Sequence, residues 1–341
     1  MSEIKRRPAE RFVVIGTSTG GLAALRTVLA ELPADLTAAV LITMHIGRLE
    51  SSLPDLLSDS TALRVKFAQD GDVPLNGHAY IAPPDRHLLL ERQSIRLVRG
   101  AKENYSRPAI DPLFRSAAIN HGRNVTGVIL TGELDDGTVG LQAVKACGGI
   151  AIVQDPAEAQ SSSMPLSALR FTHTDYRLSL CDIGKFLART HECKSPDAMD
   201  PPAPMRVEPF STEHEICAQG GAAQVSTLQK HGDLSSLTCP DCGGSLLEMG
   251  YAPARFRCHT GHSFTVATLL QRQDDKFEEA IWIAVRSLHE KQLLLQRQAV
   301  TARKSGNEDS AREYDLASQS ITAHAMTLQE LITNKVDSTR G

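Results

Sequence analysis

Between residues 11 and 188, short apolar runs alternate with segments whose apolar residues return every three or four positions. That alternation restricts the fold more than any other feature of the 341-residue chain. Phe12–Ile15 is an apolar run closed by Gly16, as a strand buried on both faces would be. Leu22, Leu25, Val28, Leu29 and Leu32 follow at helical spacing, and Pro33 stops them. Val40–Met44 reads as a second buried strand, Ala79–Ala82 as another, and Leu88–Leu90 with Ile95–Val98 as a hairpin. Pro112–His121 predicts a helix, Val125–Thr131 a strand, Gly137–Ala146 a helix closed by Gly148-Gly149, and Ile150–Val153 a further strand. Such repetition predicts an α/β fold, a doubly wound, mostly parallel sheet with helices on both faces, long enough to bury a core.

Beyond residue 188 the pattern changes. Residues 194–215 carry five prolines and five acidic residues in 22 positions without apolar periodicity, which predicts an extended linker over 189–235. A cysteine-containing module follows over 236–265. Over 266–337, Ile281, Val285, Leu288, Gln292 and Leu295 recur at helical spacing; Ser305-Gly306-Asn307 interrupts them, and Tyr314, Ala317, Ile321, Met326, Leu328 and Leu331 resume. Two helices around one polar break predict a helical hairpin. Lys and Arg total 36 against 40 Asp and Glu, a net charge of −4 that argues against whole-chain binding to nucleic acid or anionic lipid. The longest apolar stretch, Thr37–Met44, is far short of a membrane span, and the charged start MSEIKRRPAERF does not read as a signal peptide. A cytoplasmic protein without direct membrane insertion is expected.

The chemistry concentrates where strands end. Gly16-Thr17-Ser18-Thr19-Gly20 satisfies G-x-S-x-G, in which glycines permit a tight strand-to-helix turn that projects the serine hydroxyl. The N–H groups of Thr19, Gly20 and Gly21, at the positive end of the following helix, are candidate oxyanion donors. The same small residues would also suit a plain helix cap or a phosphate cradle, although neither phosphate-loop pattern is met. His45 follows the second strand directly, and Asp135 and Asp136 follow the strand over 125–131. Either aspartate suits the orientation of an imidazole, or the N-cap of the next helix. A serine, a histidine and an acid at strand ends of one sheet fall where such folds form their ligand crevice.

The segments VVIGTSTGGLAALRTVLAELP, VLITMHIG, GHAYIAPPDRHLLL, RPAIDPLFRSAA and GRNVTGVILTGELDDGTVGL, in this order, resemble the catalytic domain of the chemotaxis receptor methylesterases, the CheB family. The resemblance covers residues 11–182, about half the chain. It implies Ser18 as nucleophile, His45 as base and Asp136 as third member. The implied reaction is hydrolysis of glutamate γ-methyl esters on methyl-accepting chemoreceptors, with glutamine deamidation as an associated activity and no cofactor for catalysis. Glu133 stands where family members commonly carry methionine, and Asp135 replaces an asparagine, adding two carboxylates beside the triad. Arg107 and Arg115 bracket RPAIDPLFR and are candidates to meet an acidic receptor helix; His78, Asp85 and His87 match family segments and are expected to be structural or exposed. Ten or so residues precede the first strand, so the receiver domain that regulates many members is not expected in this chain. A weakly active or non-catalytic signalling adaptor, or a hydrolase of another protein substrate, is the alternative reading.

Cys239-Pro240-Asp241-Cys242, followed by two glycines, is a metal knuckle, and Cys258-His259-Thr260-Gly261-His262 lies sixteen residues on. Cys239, Cys242, Cys258 and His262 are the expected ligands of a structural zinc, with His259 the alternative fourth. Basic and aromatic residues are sparse around the cluster, which favours a structural or protein-docking ribbon over nucleic-acid binding. The apolar content of 236–265 is small enough that folding should need the metal.

Overall fold

The computed structural model describes residues 7–189, 208–220, 228–250 and 252–338. The chain divides into two compact units, residues 1–269 and 270–341. In the first, the strands are β1 (Phe12–Thr17), β2 (Ala39–Met44), β3 (Arg64–Phe67), β4 (His78–Ile81), β5 (His87–Leu90), β6 (Ile95–Val98), β7 (Val125–Ile129), β8 (Ile150–Gln154) and β9 (Tyr176–Leu178). Seven of them form one sheet in the order β3-β4-β2-β1-β7-β8-β9, and every pairing in it is parallel. β5 and β6 make the separate antiparallel hairpin.

The helices of this part are α1 (Gly21–Ala30), α2 (Leu53–Ser58), α3 (Ile110–His121), α4 (Thr138–Ala146), α5 (Ser163–Phe171) and α6 (Leu180–Arg189). On β1, Val13 and Ile15 join a core with Leu25 and Leu29 of α1, Leu57 of α2 and Ile183 of α6. Phe12 and Val14 join the opposite core with Leu113 and Phe114 of α3, Leu141 of α4 and Met164 of α5. Both faces are covered, and that is why FVVI is a continuous apolar run rather than an alternating one. The chain leaves β1 toward β2 on one side and later returns to pair β7 on the other. The carboxyl ends of β1, β2 and β7 therefore meet where the winding reverses, the place such sheets leave for a ligand.

The linker expectation needs correction. Residues 190–207 lie outside the described residues, but α7 (Glu208–Ala218) is a helix packed against α3, with Phe210 and Glu213 buried. Acidic side chains resist burial only without partners, and Glu213 has three: Arg115, Arg255 and Arg257. Pro209 stands in the first helical turn, where a missing N–H costs no hydrogen bond.

The cysteine module starts earlier than the expected residue 236. Strands β10 (Gly232–Thr238), β11 (Ser245–Met249), β12 (Arg255–Cys258) and β13 (Ser263–Thr265) form an antiparallel sheet. One small cluster, Cys239, Leu246, Phe256, Cys258, Phe264 and Leu269, packs on one side of it, and Leu247 and Met249 join Ile216 and Leu228 in another. This ribbon belongs to the same compact unit as the parallel sheet. Arg255 and Arg257 of β12 are fully buried against Glu103, Asp111 and Glu213, and Arg115 of α3 completes the group. Burial alone would raise the Glu103 carboxyl, but Arg115, Arg257 and Arg255 outweigh it and hold the group well below the ordinary carboxylate range.

α8 (Val266–Lys304) and α9 (Glu308–Ser338) form the C-terminal hairpin, separated at Gly306, where φ is +78°. Within the second unit, Ile281, Val285 and Ala299 of α8 and Ala311, Ser318, Ile321 and Ala325 of α9 are buried at near-heptad spacing. Met326 and Leu331, counted in the apolar face on spacing alone, are exposed. No helix among the described residues is long and apolar enough to cross a membrane.

Candidate active site

The loop after β1 is tied to the loop after β7. Ser18 N–H donates to the Thr131 carbonyl (3.0 Å), Thr17 Oγ1 donates to the same carbonyl (2.8 Å), and Thr131 Oγ1 donates to the Thr19 carbonyl (2.9 Å). Gly20 takes φ +79° to turn the chain into α1, a conformation that L side chains resist. Gly132 is equally constrained: a Cβ there would lie 2.9 Å from the Ser18 Cβ and against the Met164 sulfur. The fold thus fixes Ser18 between two chain segments that only glycines let approach.

His45 N–H donates to the Thr17 carbonyl (3.2 Å), seating the imidazole one strand over. Its Nδ1 is 3.1 Å from Ser18 Oγ, and its Nε2 is 2.7 Å from Asp136 Oδ2. A neutral ring carrying its proton on Nε2 donates to Asp136 and turns a lone pair toward the serine hydroxyl. Asp136 also accepts the Ile110 N–H on Oδ2 (2.7 Å), and both the Asn104 amide (2.7 Å) and the Asp111 N–H (3.3 Å) on Oδ1. Burial pushes its carboxyl up, but the bonds from His45, Ile110 and Asn104 prevail, and Asp136 lies below the usual aspartate value. It is therefore an anion held ready for an imidazolium.

The other expected site residues divide. The Gly21 N–H is committed to the Ser18 carbonyl (2.9 Å), which corrects its reading as an oxyanion donor. The N–H groups of Thr19 and Gly20 donate to no protein acceptor among the described residues. Glu133 is exposed beside the site. Arg115 is the clearer correction: it has no accessible surface, and its guanidinium lies 3.0 Å from both Glu103 and Glu213. No external helix can reach it, because α7 and the ribbon cover it. Arg107 pairs with Asp85 (2.9 Å from Nε), and buried His87 has both ring nitrogens engaged, by the Ala101 carbonyl and the Ala109 N–H. Asn104, at φ +48°, and Thr265 were missed, since nothing in spacing or periodicity reports a contact across two modules.

Asp135 is buried beside the triad and accepts the Thr265 hydroxyl at 2.7 Å. Burial pushes its carboxyl up to about 6 against the Thr265 bond, with Asp111 and Asp136 adding to the rise. A raised native value means that the folded state favours the protonated form. This stabilising contribution is complete below pH ~4 and is lost as pH rises through ~6. Asp135→Asn is accordingly expected to stabilise the protein by about 2–3 kcal/mol more at pH 7.5 than at pH 4. Urea unfolding at the two pH values measures the difference.

In the ribbon, one donor atom from each of Cys239, Cys242, Cys258 and His262 lies within 4.8 Å of the other three, and His259 is outside this set. His262 Nδ1 is 3.6 Å from the sulfurs of Cys239 and Cys258, and the Cys242 and Cys258 sulfurs are 3.7 Å apart. A tetrahedron with metal–sulfur bonds of about 2.3 Å has edges of about 3.8 Å, so this Cys3His set fits a four-coordinate ion.

The family model described as CheB methylesterase matches residues 13–187. A protein-glutamate methylesterase/protein-glutamine glutaminase of Chromohalobacter salexigens is 43% identical over 166 residues, 47% of each chain. The like-named protein of Yersinia pestis is 42% identical over the same span and shares. A Leptospira interrogans protein that carries this name provisionally is 38% identical over 179 residues, 52% of this chain and 93% of that protein. The chain therefore spans about half the length of the first two relatives and nearly all of the third. The crystal structure of the Thermotoga maritima CheB methylesterase catalytic domain superposes with a TM-score of 0.51 at 34% identity, covering 53% of this chain and 98% of that one. With the family model covering half of its length, this chain belongs to the CheB methylesterase family.

Proposed function

We propose that the protein hydrolyses glutamate γ-methyl esters on methyl-accepting chemoreceptors, or similar signalling proteins, through Ser18, His45 and Asp136. The observation that carries the reading is the continuous relay from Ser18 Oγ through both ring nitrogens of His45 to a buried, fully bonded Asp136. The Ser18 oxygen attacks the ester carbonyl while its proton passes to His45 Nδ1, giving a tetrahedral oxyanion beside the Thr19 and Gly20 N–H groups. As that intermediate collapses, the imidazolium returns the proton to the departing methoxide, which leaves as methanol. Water then attacks the acyl-enzyme by the same route and frees the glutamate. Positioned base catalysis contributes on the order of 10²–10⁴ in rate, and each oxyanion donor about 3–4 kcal/mol. Glutamine deamidation needs the same steps with ammonia as the leaving group.

Methanol release from methyl-esterified receptor by the full chain tests the reading. No release under conditions in which another family member is active would reject it. The action belongs in the cytoplasm, on receptor segments reached without membrane insertion, and needs no cofactor.

The ribbon is read as a structural zinc site with Cys239, Cys242, Cys258 and His262 as ligands. Zinc would supply cross-linking of β10 to β13 and no step of the reaction. Cys239→Ser protein is expected to fall from one zinc per chain to well under half, by atomic absorption. Undiminished zinc in that variant would refute the ligand set.

A further inference from the structure

Between the metal donors and the triad carboxylate runs an unbroken series of short contacts. Cys258 ends β12, and His262 immediately precedes β13. Three residues before Cys258, Arg255 donates from Nη1 to Asp111 Oδ2 at 2.6 Å. Next to His262, the Ser263 carbonyl accepts the Asn104 backbone N–H at 2.8 Å, while Ser263 N–H reaches the Lys102 carbonyl at 3.3 Å. At the end of β13, Thr265 Oγ1 donates to Asp135, the residue before the triad acid. The lines through Asp111 and Ser263 converge on Asn104. Its side-chain nitrogen donates one hydrogen to Asp111 Oδ2 (2.8 Å) and the other to Asp136 Oδ1 (2.7 Å).

Arg255, Ser263, Thr265, Asn104, Asp111 and Asp136 are all buried. Hydrogen bonds between charged groups in a buried joint are stiff, and each partner limits the rotation of the next. The Asp136 carboxylate has one oxygen on His45 and the other on Asn104, so the angle it offers the imidazole depends on where Asn104 is held. Asn104 in turn is held by its backbone on β13 and by its side chain on the Asp111–Arg255 pair. Among the described residues the ribbon's buried apolar clusters are small, which leaves little besides a metal to keep those strands in place.

We propose that the ribbon is the positioning element of the triad. Asn104, clamped between Ser263 and the Asp111–Arg255 pair, sets the orientation of Asp136, and metal occupancy at Cys239, Cys242, Cys258 and His262 closes the clamp. Asn104, Arg255 and Thr265 are positioning residues that act through Asp136 and Asp135. The proposal rests on the assignment of Ser18, His45 and Asp136 to catalysis. A misplacement of the base by about an ångström is enough to cost roughly 100-fold in rate.

The test reads the serine itself. A fluorophosphonate phosphonylates an activated serine, with its oxygen forming the new P–O bond, fluoride leaving and the base taking the proton. The labelling rate of Ser18 is followed in the full chain freed of metal by a chelator and then titrated with zinc. The expected result is a rate that rises at least tenfold and levels off at one zinc per chain. Asn104→Gly tests the clamp without disturbing the metal, because glycine accepts the +48° backbone and only the amide is removed. This variant is expected to keep one zinc per chain and its KM for methylated receptor, while kcat and the labelling rate fall 10- to 100-fold. Labelling that is equally fast with and without zinc, or native labelling and kcat in Asn104→Gly, would overturn the proposal while leaving the triad assignment standing. A zinc-loaded native chain whose Ser18 does not label at all would remove the triad assignment, and this inference with it.

Discussion

Ser18→Ala protein is expected to release methanol from methyl-esterified receptor about 10⁴- to 10⁶-fold more slowly than the native chain, with substrate affinity little changed. The hydroxyl oxygen forms the covalent bond of the acyl-enzyme, and no neighbouring group can replace it. His45 Nδ1 sits 3.1 Å from that oxygen, the atom the variant lacks. What survives is the contribution of bound-substrate orientation and the backbone donors of Thr19 and Gly20, on the order of 10³–10⁴ over water. His45→Gln is expected to lose a similar factor, and the double variant no more than either single one, because nucleophile and base act as one unit. Steady-state methanol assays at saturating receptor measure all three. Retention of activity within tenfold in Ser18→Ala would place the nucleophile elsewhere.

The second large effect is on stability. Arg255→Met is expected to destabilise the protein by about 3–5 kcal/mol, because it removes one guanidinium from a site where three carboxylates remain buried. Arg255 lies 2.6 Å from Asp111, 2.7 Å from Glu103 and 3.1 Å from Glu213, and all three carboxylates are buried. Arg115 and Arg257 still neutralise Glu103 and Glu213, so the loss falls mainly on Asp111, whose carboxyl burial already pushes above the ordinary range. Asp111→Asn in the Arg255→Met background should therefore recover part of the stability, and the double-mutant cycle from denaturant unfolding gives the coupling. A change under 1 kcal/mol in Arg255→Met would show that the joint opens to water in solution.

The sheet and the meeting of Ser18, His45 and Asp136 were legible because each depends on local pattern. Apolar runs located β1, β2 and β7, and Ser18, His45 and Asp136 each lie one to seven residues beyond such a strand. The grouping of Cys239, Cys242, Cys258 and His262 was legible for the same reason, as paired cysteine and histidine residues at short spacing. Helix α7 was not, because proline and acidic content mark a solvated chain unless distant cations neutralise it. Glu213 finds its partners about a hundred residues earlier in α3 and forty later in β12. The misreading of Arg115 has the same root. An arginine beside a catalytic segment reads as solvent-facing until a second layer, unpredictable from α3 alone, is laid over it. Asn104 was silent because its importance lies in two hydrogens shared between carboxylates from different elements.

The buried charges come from four separate stretches of chain, at 103, 111–115, 213 and 255–257. Excising residues beyond the parallel sheet would therefore not liberate a minimal esterase. It would strip cations from Asp111 and Glu103 and flood the back of the Asp136 site with solvent. A fragment ending near residue 189 that proved sluggish would report on its own wound, and comparison with shorter relatives must graft surface onto the exposed α3 face before any difference in rate is given a biological meaning.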